Sequence, residues 1–141
     1  MFFGSFEHNL DDKGRLVIPS KFRSELGEKL YILRGYEGSL TIYKEAEFNS
    51  YLAKLSSLPY TTKNNRDIVR IALSSVYELN IDKQYRIQIP IQLLNKYSIT
   101  KEIVIIGVID HIEIWNKDKW EEYNSLNEKE FEAKSEALLN E

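Results

Sequence analysis

Two short runs each place an arginine four residues after an acid: Asp11-Asp12-Lys13-Gly14-Arg15 and Asp82-Lys83-Gln84-Tyr85-Arg86. A carboxylate at the head of such a turn accepts hydrogen bonds from the turn's own amides or from the arginine itself. An arginine at the start of the following strand can project toward a phosphate or a base edge. Each pair is therefore open to two compatible readings, a structural brace and a nucleic-acid contact. Lys13, Lys21 and Arg23 add cations around the first run, and Lys83 adds one to the second. Neighbouring Asp11 and Asp12 point apart from a turn and make a poor acid–base couple. No nucleophile, base and orienting group come together by motif, and no Gly-rich loop leads into a helix to cradle a phosphate. The pattern points to a binding protein without enzymatic activity, cofactor or small-molecule substrate.

The 141 residues carry 19 Lys+Arg against 22 Asp+Glu, a formal net charge of −3, two His and no Cys. Absence of Cys removes disulfide frameworks, thiolate zinc sites and cysteine nucleophiles. His8 and His111 alone are too few soft ligands for a dedicated transition-metal site, and both read as ordinary surface or satisfied histidines. At 43% apolar and 12% aromatic, the chain can bury a core. Its apolar runs break within about ten residues, so no membrane span is expected. No basic segment with a long apolar stretch opens the chain, so no secretory signal is expected either. An acidic total argues against nucleic acid, but the charge is uneven. Residues 117–141 hold eight acids and four Lys, a net of −4, which leaves +1 for residues 1–116. Asp11 to Arg23 carries a local excess of +2.

The elements that position these residues repeat. Leu10–Pro19 lies over Ile81–Pro90 at an offset of 71, with Asp, Arg, Ile and Pro coinciding. Downstream, Gly35, Leu40, Ile42 and Tyr43 match Gly107, Ile112, Ile114 and Trp115 at an offset of 72. One inserted residue would account for the change, and the halves read as a tandem duplication. Strands are expected at Phe3–Leu10 and Arg15–Ile18. Ser20 then caps a short helix that Gly27 ends. A hairpin follows through Gly35–Gly38, then a helix bearing Phe48, Tyr51, Leu52 and Leu55. The second half opens with a helix from Asn64 to Leu79, in which Arg66 and Arg70 share a solvated face. Strands at 80–82 and 86–89, a helix at 91–97, and strands at 103–107 and 111–115 complete it. Asn127 and Glu130 resemble the capping box of a separate last helix. Tyr31, Tyr36, Tyr43, Trp115 and Trp120 read as core or interface aromatics. Expected divisions are 1–59, 60–123 and an acidic helix at 124–141. A half of about 70 residues buries a marginal core alone. The halves should therefore pair about a pseudo-twofold axis in one barrel-like β core with peripheral helices, an α+β fold that is mainly β. Strand alternation puts Leu16, Ile18, Ile87 and Ile89 inward, and Arg15, Val17, Arg86 and Gln88 outward.

The run from Leu10 to Arg23, following Met1-Phe2-Phe3-Gly4, resembles the N-terminal signature of the MraZ family, and the second Asp-x-x-x-Arg fits the same pattern. The resemblance covers essentially the whole chain. It implies two AbrB-like swapped-hairpin halves and a ring-shaped homo-oligomer. It also implies a cytoplasmic, nucleoid-associated transcriptional regulator or repressor, binding double-stranded DNA repeats upstream of its own gene in the division and cell-wall operon. The first copy is complete at Asp11, Lys13, Gly14, Arg15, Pro19 and Arg23. In the second, Asp82, Arg86 and Pro90 remain, but Tyr85 stands for the expected Gly and Leu94 for the trailing Arg. DNA contact is therefore expected mainly from Lys13, Arg15, Lys21 and Arg23, with Lys83 and Arg86 weaker. A ring would repeat this small basic patch along evenly spaced DNA sites, so the acidic total would not decide binding. The rival reading is an antitoxin-like protein-interaction module of the same fold.

Overall fold

The computed structural model describes residues 1–140. The chain runs β1 (Ser5–Asn9), β2 (Arg15–Val17), α1 (Ser20–Leu26), β3 (Lys29–Arg34), β4 (Leu40–Lys44), α2 (Glu45–Ser56) and α3 (Lys63–Ser74). It continues with β5 (Tyr77–Asn80), β6 (Arg86–Gln88), α4 (Ile91–Lys96), β7 (Glu102–Val108), β8 (His111–Asn116) and α5 (Lys117–Leu139). The fold is mainly antiparallel β with several helices. Six strands form one sheet in the order β1-β7-β8-β4-β3-β5, while β2 and β6 pair separately as a short ribbon. The expected barrel-like core is thus divided: the sheet is open, with β1 and β5 at its edges. Pro19 and Pro90 follow the ribbon strands closely and lack the N–H that would extend the ladder.

The strand order reads the same from either edge when β1–β4 are exchanged with β5–β8. Each half lends its leading strand to the other: β1 pairs with β7, and β5 pairs with β3. Ladder registers also locate the gaps in the duplication. Leu10 N donates to Lys101 O (2.8 Å) and its counterpart Ile81 N donates to Glu28 O (3.0 Å). Glu28 therefore corresponds to Lys101, an offset of 73, and Leu30 to Ile103. The offset falls to 72 beyond the hairpin, where Leu40 and Ile112 correspond. Two residues, Ile99-Thr100, have been gained after α4, and the turn Ile109-Asp110 is one residue shorter than Tyr36-Glu37-Gly38. This corrects the single insertion read from the sequence. Gly107 occupies the place of Arg34, and its match to Gly35 is a coincidence of spacing.

Alternation along the strands makes two apolar layers. Leu30, Ile32, Leu40, Ile42, Ile103, Ile105, Ile112 and Ile114 are buried toward the ribbon. There they join Leu16, Ile18, Ile87 and Ile89, with Phe22 and Leu26 of α1 and Leu93 and Leu94 of α4. Burying a Leu or Ile contributes roughly 1.5–3 kcal/mol, so neither half could exchange this shared core for solvent. The sheet's outer face carries aromatics: Tyr31 stacks on Phe48 (4.1 Å) and Tyr43 on Tyr51 (5.4 Å), while Trp115 meets Trp120 and Tyr123.

Three local expectations change. Helix α3 stops at Ser74, and Tyr77–Asn80 is strand. Val76 and Leu79 fit a helical stripe, but Leu79 finds its partner Leu30 across a ladder, and tertiary pairing overrides the local pattern. Helix α5 is continuous from Lys117, with Asn116 as its cap accepting from Lys119 N (3.1 Å); Asn127 lies inside it and donates to Tyr123 O (2.8 Å). Ser20 is the first residue of α1 rather than its cap, a place taken by Pro19, which has no side-chain bond to offer.

Candidate nucleic-acid interface

The ribbon pairs Arg15 with Gln88, Leu16 with Ile87 and Val17 with Arg86. Leu16 and Ile87 face the core, so Arg15, Val17, Arg86 and Gln88 share the outward face. Arg15 and Arg86 are diagonal neighbours on that face, about 7 Å apart by strand geometry.

Each arginine is held by its own acid in the same way. Asp11 Oδ1 accepts from Lys13 N (2.9 Å) and Arg15 N (2.8 Å), and its Oδ2 accepts from Arg15 Nε (2.5 Å). Asp82 Oδ1 accepts from Gln84 N (2.8 Å) and Arg86 N (2.9 Å), and Oδ2 accepts from Arg86 Nε (2.9 Å). These bonds, the arginine's backbone amide first, hold both carboxyls below the ordinary aspartate value. The brace is thus present in both copies. It occupies only Nε: among the described residues no hydrogen bond engages the terminal guanidinium nitrogens of Arg15 or Arg86. The side chains are 31% and 27% exposed. Brace and presentation coexist.

The two turns also tie each other. Gly14 O accepts from Ile89 N (3.0 Å), and Tyr85 O accepts from Ile18 N (2.8 Å). Gly14 has φ 75° and Tyr85 φ 59°, so the tyrosine adopts the left-handed conformation that its counterpart glycine takes freely. A Cβ on Gly14 would stand 3.0 Å from Leu94 Cδ1. Against Tyr85 stands the residue matching Leu94, which is Arg23, with its guanidinium 4.4 Å from the ring centre and Nε donating to Ile18 O (3.0 Å).

The expected first-copy cluster is consequently spread over both turns. Arg23 lines an open cleft with Asp82, Lys83 and Tyr85. Lys13 is exposed at the first turn, where its carbonyl accepts from Gln88 Nε2 (3.2 Å). Lys21 leans over the Phe3 ring at 3.6 Å. Gln88 and Val17 complete the outward face; alternation alone marked them, but their polarity gave no reason to select them. Arg66 bonds the carbonyls of Tyr60 and Thr61, and Arg70 lies near the Tyr60 ring, so both hold the α2–α3 connection. His111 sits between Asp110 and Glu113 at the β7–β8 hairpin. Among the described residues no three His, Asp or Glu converge on a metal-ligand set, and no helix is long and apolar enough to cross a membrane.

The profile of the family described as "MraZ protein, putative antitoxin-like" matches residues 1–71 and again residues 72–141. The chain belongs to the MraZ family. A "Transcriptional regulator MraZ" from Clostridium tetani is 46% identical over 127 residues, covering 90% of this chain and 89% of the relative. One from Thermoanaerobacter sp. is 43% identical over 138 residues, 98% and 96% of the two chains, and one from Pediococcus pentosaceus is 44% identical over 139 residues, 99% and 97%. The double match follows the duplicated fold: each MraZ segment contains one Asp-x-x-x-Arg turn and one complete hairpin.

Proposed function

We infer that this MraZ-family chain is a transcriptional regulator that binds duplex DNA through the outward face of the β2–β6 ribbon. The observation that carries the reading is the pair of arginines on that face, each fixed through Nε by its own aspartate and each with its fork of terminal nitrogens open. A two-stranded ribbon fits the major groove, and an arginine fork matches a guanine edge or a phosphate. Lys13, Lys21, Arg23 and Lys83 supply the surrounding phosphate contacts, while Asp11, Gly14, Pro19, Asp82 and Pro90 shape the turns. The shared brace favours comparable weight for Arg15 and Arg86, in place of the dominance of the first copy that residue types alone suggest. The chain acts as a repressor without enzymatic activity, in the cytoplasm and on the nucleoid. Its halves are AbrB-like swapped hairpins that share one core between the open sheet and the ribbon, and its copies form a ring. Several ribbons then meet evenly spaced repeats upstream of the gene and multiply one weak contact.

A gel-shift titration on DNA from upstream of the gene, at several salt concentrations, tests this. Arg15→Ala and Arg86→Ala should each weaken binding by about tenfold to a hundredfold, the value of a good arginine–base contact, with the oligomer unchanged. No preference for that DNA over random duplex would overturn sequence-specific regulation. The antitoxin-like reading, which the family description also names, would instead show a stoichiometric small protein partner on purification.

A further inference from the structure

Helices α2 and α5 are counterparts at the offset of 72, with Phe48 and Tyr51 matching Trp120 and Tyr123. Their surroundings then diverge. In the first half α3 folds back beside α2, and Leu52, Leu55, Leu58, Val69 and Leu73 line an apolar groove of about 290 Å³ between them. In the second half α5 runs straight on for 23 residues, and no helix follows it among the described residues. The stripe that docks α5, Trp120 and Tyr123, continues at helical spacing through Asn127 into Phe131 and Leu138. Those two are 68% and 70% exposed. A free helical segment of this length is marginal in water without packing along one face. Charge points to its cover. Residues 124–139 hold Glu128, Glu130, Glu132 and Glu136 against Lys129 and Lys134, while residues 50–74, the stretch that lines the groove, hold Lys54, Lys63, Arg66 and Arg70 against Asp67; Glu45 and Glu47 lie at the far end of α2.

We propose that the distal half of α5 seats in the α2–α3 groove of a second copy of this chain, with Phe131 and Leu138 entering between the helices. The acidic flanks of α5 then lie along the basic flanks of the groove. In trans, the neighbour's helices give α5 the lateral cover that α3 gives α2 in cis. The contact joins two different surfaces and passes head to tail from copy to copy, the kind of interface that forms a ring where its rotation closes. This rests on the ring reading above and names the surfaces that make it.

The cysteine-free sequence makes the test direct. A chain carrying both Phe131→Cys and Leu73→Cys, mildly oxidised and run on a non-reducing gel, should give a ladder of covalent dimers and higher species. Lys129→Cys with Leu73→Cys, which moves the thiol to the opposite side of α5, should give none. Separately, Phe131→Glu/Leu138→Glu should reduce the sedimenting mass to one chain with an unchanged circular dichroism spectrum, since both positions are exposed. An oligomeric protein that gives no ladder and keeps its mass in the double-Glu variant overturns this contact alone and leaves the ring reading intact. A disulfide confined within one chain overturns it too. A parent protein that sediments as a single chain overturns the ring reading along with it.

Discussion

The two motif turns have the same brace, the same backbone conformation and the same reciprocal tie, yet they solve the space behind the turn in opposite ways. At the first, a glycine lies under a buried leucine from the other half, Leu94. At the second, a tyrosine stands up and the other half's Arg23 lies against its ring. Seen within one repeat, Tyr85 and Leu94 are two separate departures from the first copy, which has Gly14 and Arg23 in their places. Across the pair, each departure faces its unaltered counterpart: Leu94 accompanies Gly14, and Arg23 accompanies Tyr85. The working unit is therefore the ribbon with both turns, and a substitution in either half is answered in the other.

The sharpest way to break that pairing is to put the second solution in the first turn without its partner. Gly14→Tyr forces a side chain into the left-handed region, about 1–2 kcal/mol, and drives it into Leu94, which adds about 1–3 kcal/mol of overpacking. A total loss of about 2–5 kcal/mol is expected in urea unfolding. Combining it with Leu94→Arg rebuilds the second turn's pair at the first. The double variant should then be more stable than the sum of the two single losses predicts, by at least about 1 kcal/mol. Additive losses would show that the two turns are independent.

What the turns share should respond alike. Asp11→Ala and Asp82→Ala each remove a carboxylate that receives two backbone amides and an arginine Nε, so both should lower the melting temperature by similar amounts at neutral pH. Because each folded-state carboxyl lies below its ordinary value of 3.8, its contribution is present above that pH and fades as pH falls through the lower folded value. Thermal melts from pH 7 down to 3 should show both variants converging on the parent protein. A large gap between the two at neutral pH would make the braces unequal.

How legible this was in the sequence follows from distance along the chain. The braces are four-residue patterns, and hairpins, caps and alternation act over a few residues, so residue type and spacing carried them. The ribbon's outward face followed from period-2 alternation. Which strands pair did not: β1 seeks β7 and β5 seeks β3, contacts between halves that no local pattern encodes. Nor did the position of the gaps, because Gly35 and Gly107 align by type while the ladders place Gly107 opposite Arg34's role. The expected helix overruns the end of α3 because Val76 and Leu79 continue its helical stripe, whereas Leu79 pairs with Leu30 across a ladder. Neighbours in sequence place Arg23 with the first turn, although its ring partner, Tyr85, lies in the second repeat.

A smaller effect is expected at the second turn. Tyr85→Gly relieves a left-handed residue, a gain of about 1 kcal/mol, and removes the ring under Arg23, a loss of about 0.5–1 kcal/mol at an exposed site. Stability should change by less than about 0.5 kcal/mol, a small fraction of the Gly14→Tyr loss. A substantial destabilisation would mean that the Arg23–Tyr85 stack, rather than tolerance of the turn, keeps tyrosine there.

The mildest contrast lies at the hairpin tips, where Ser39 and Thr41 of β4's approach correspond to His111 and Glu113. The first pair is uncharged: Ser39 is buried and donates to Tyr36 O (2.7 Å). The second is ionic, with His111 Nδ1 2.7 Å from Asp110 and Nε2 3.2 Å from Glu113, which also accepts from Trp115 Nε1 (2.9 Å). Burial of the ring disfavours its charge, but hydrogen bonds to Glu113 and Asp110 outweigh burial and raise the pKa above the ordinary 6.5. Tyr43, which packs on the ring, is pushed up to about 12, chiefly by burial, and stays neutral. Glu113 is half-buried, which opposes its charge, yet His111 and Trp115 hold its carboxyl below the ordinary value, so it remains ionised. A raised histidine pKa contributes stability below about pH 6.5 that is lost as pH rises through the folded value. His111→Gln should therefore lower the melting temperature by about 2–4 °C at pH 5.5 and by much less at pH 9. The same deficit at both pH values would assign His111 a packing role and leave the two hairpin tips equivalent in charge as well as in shape.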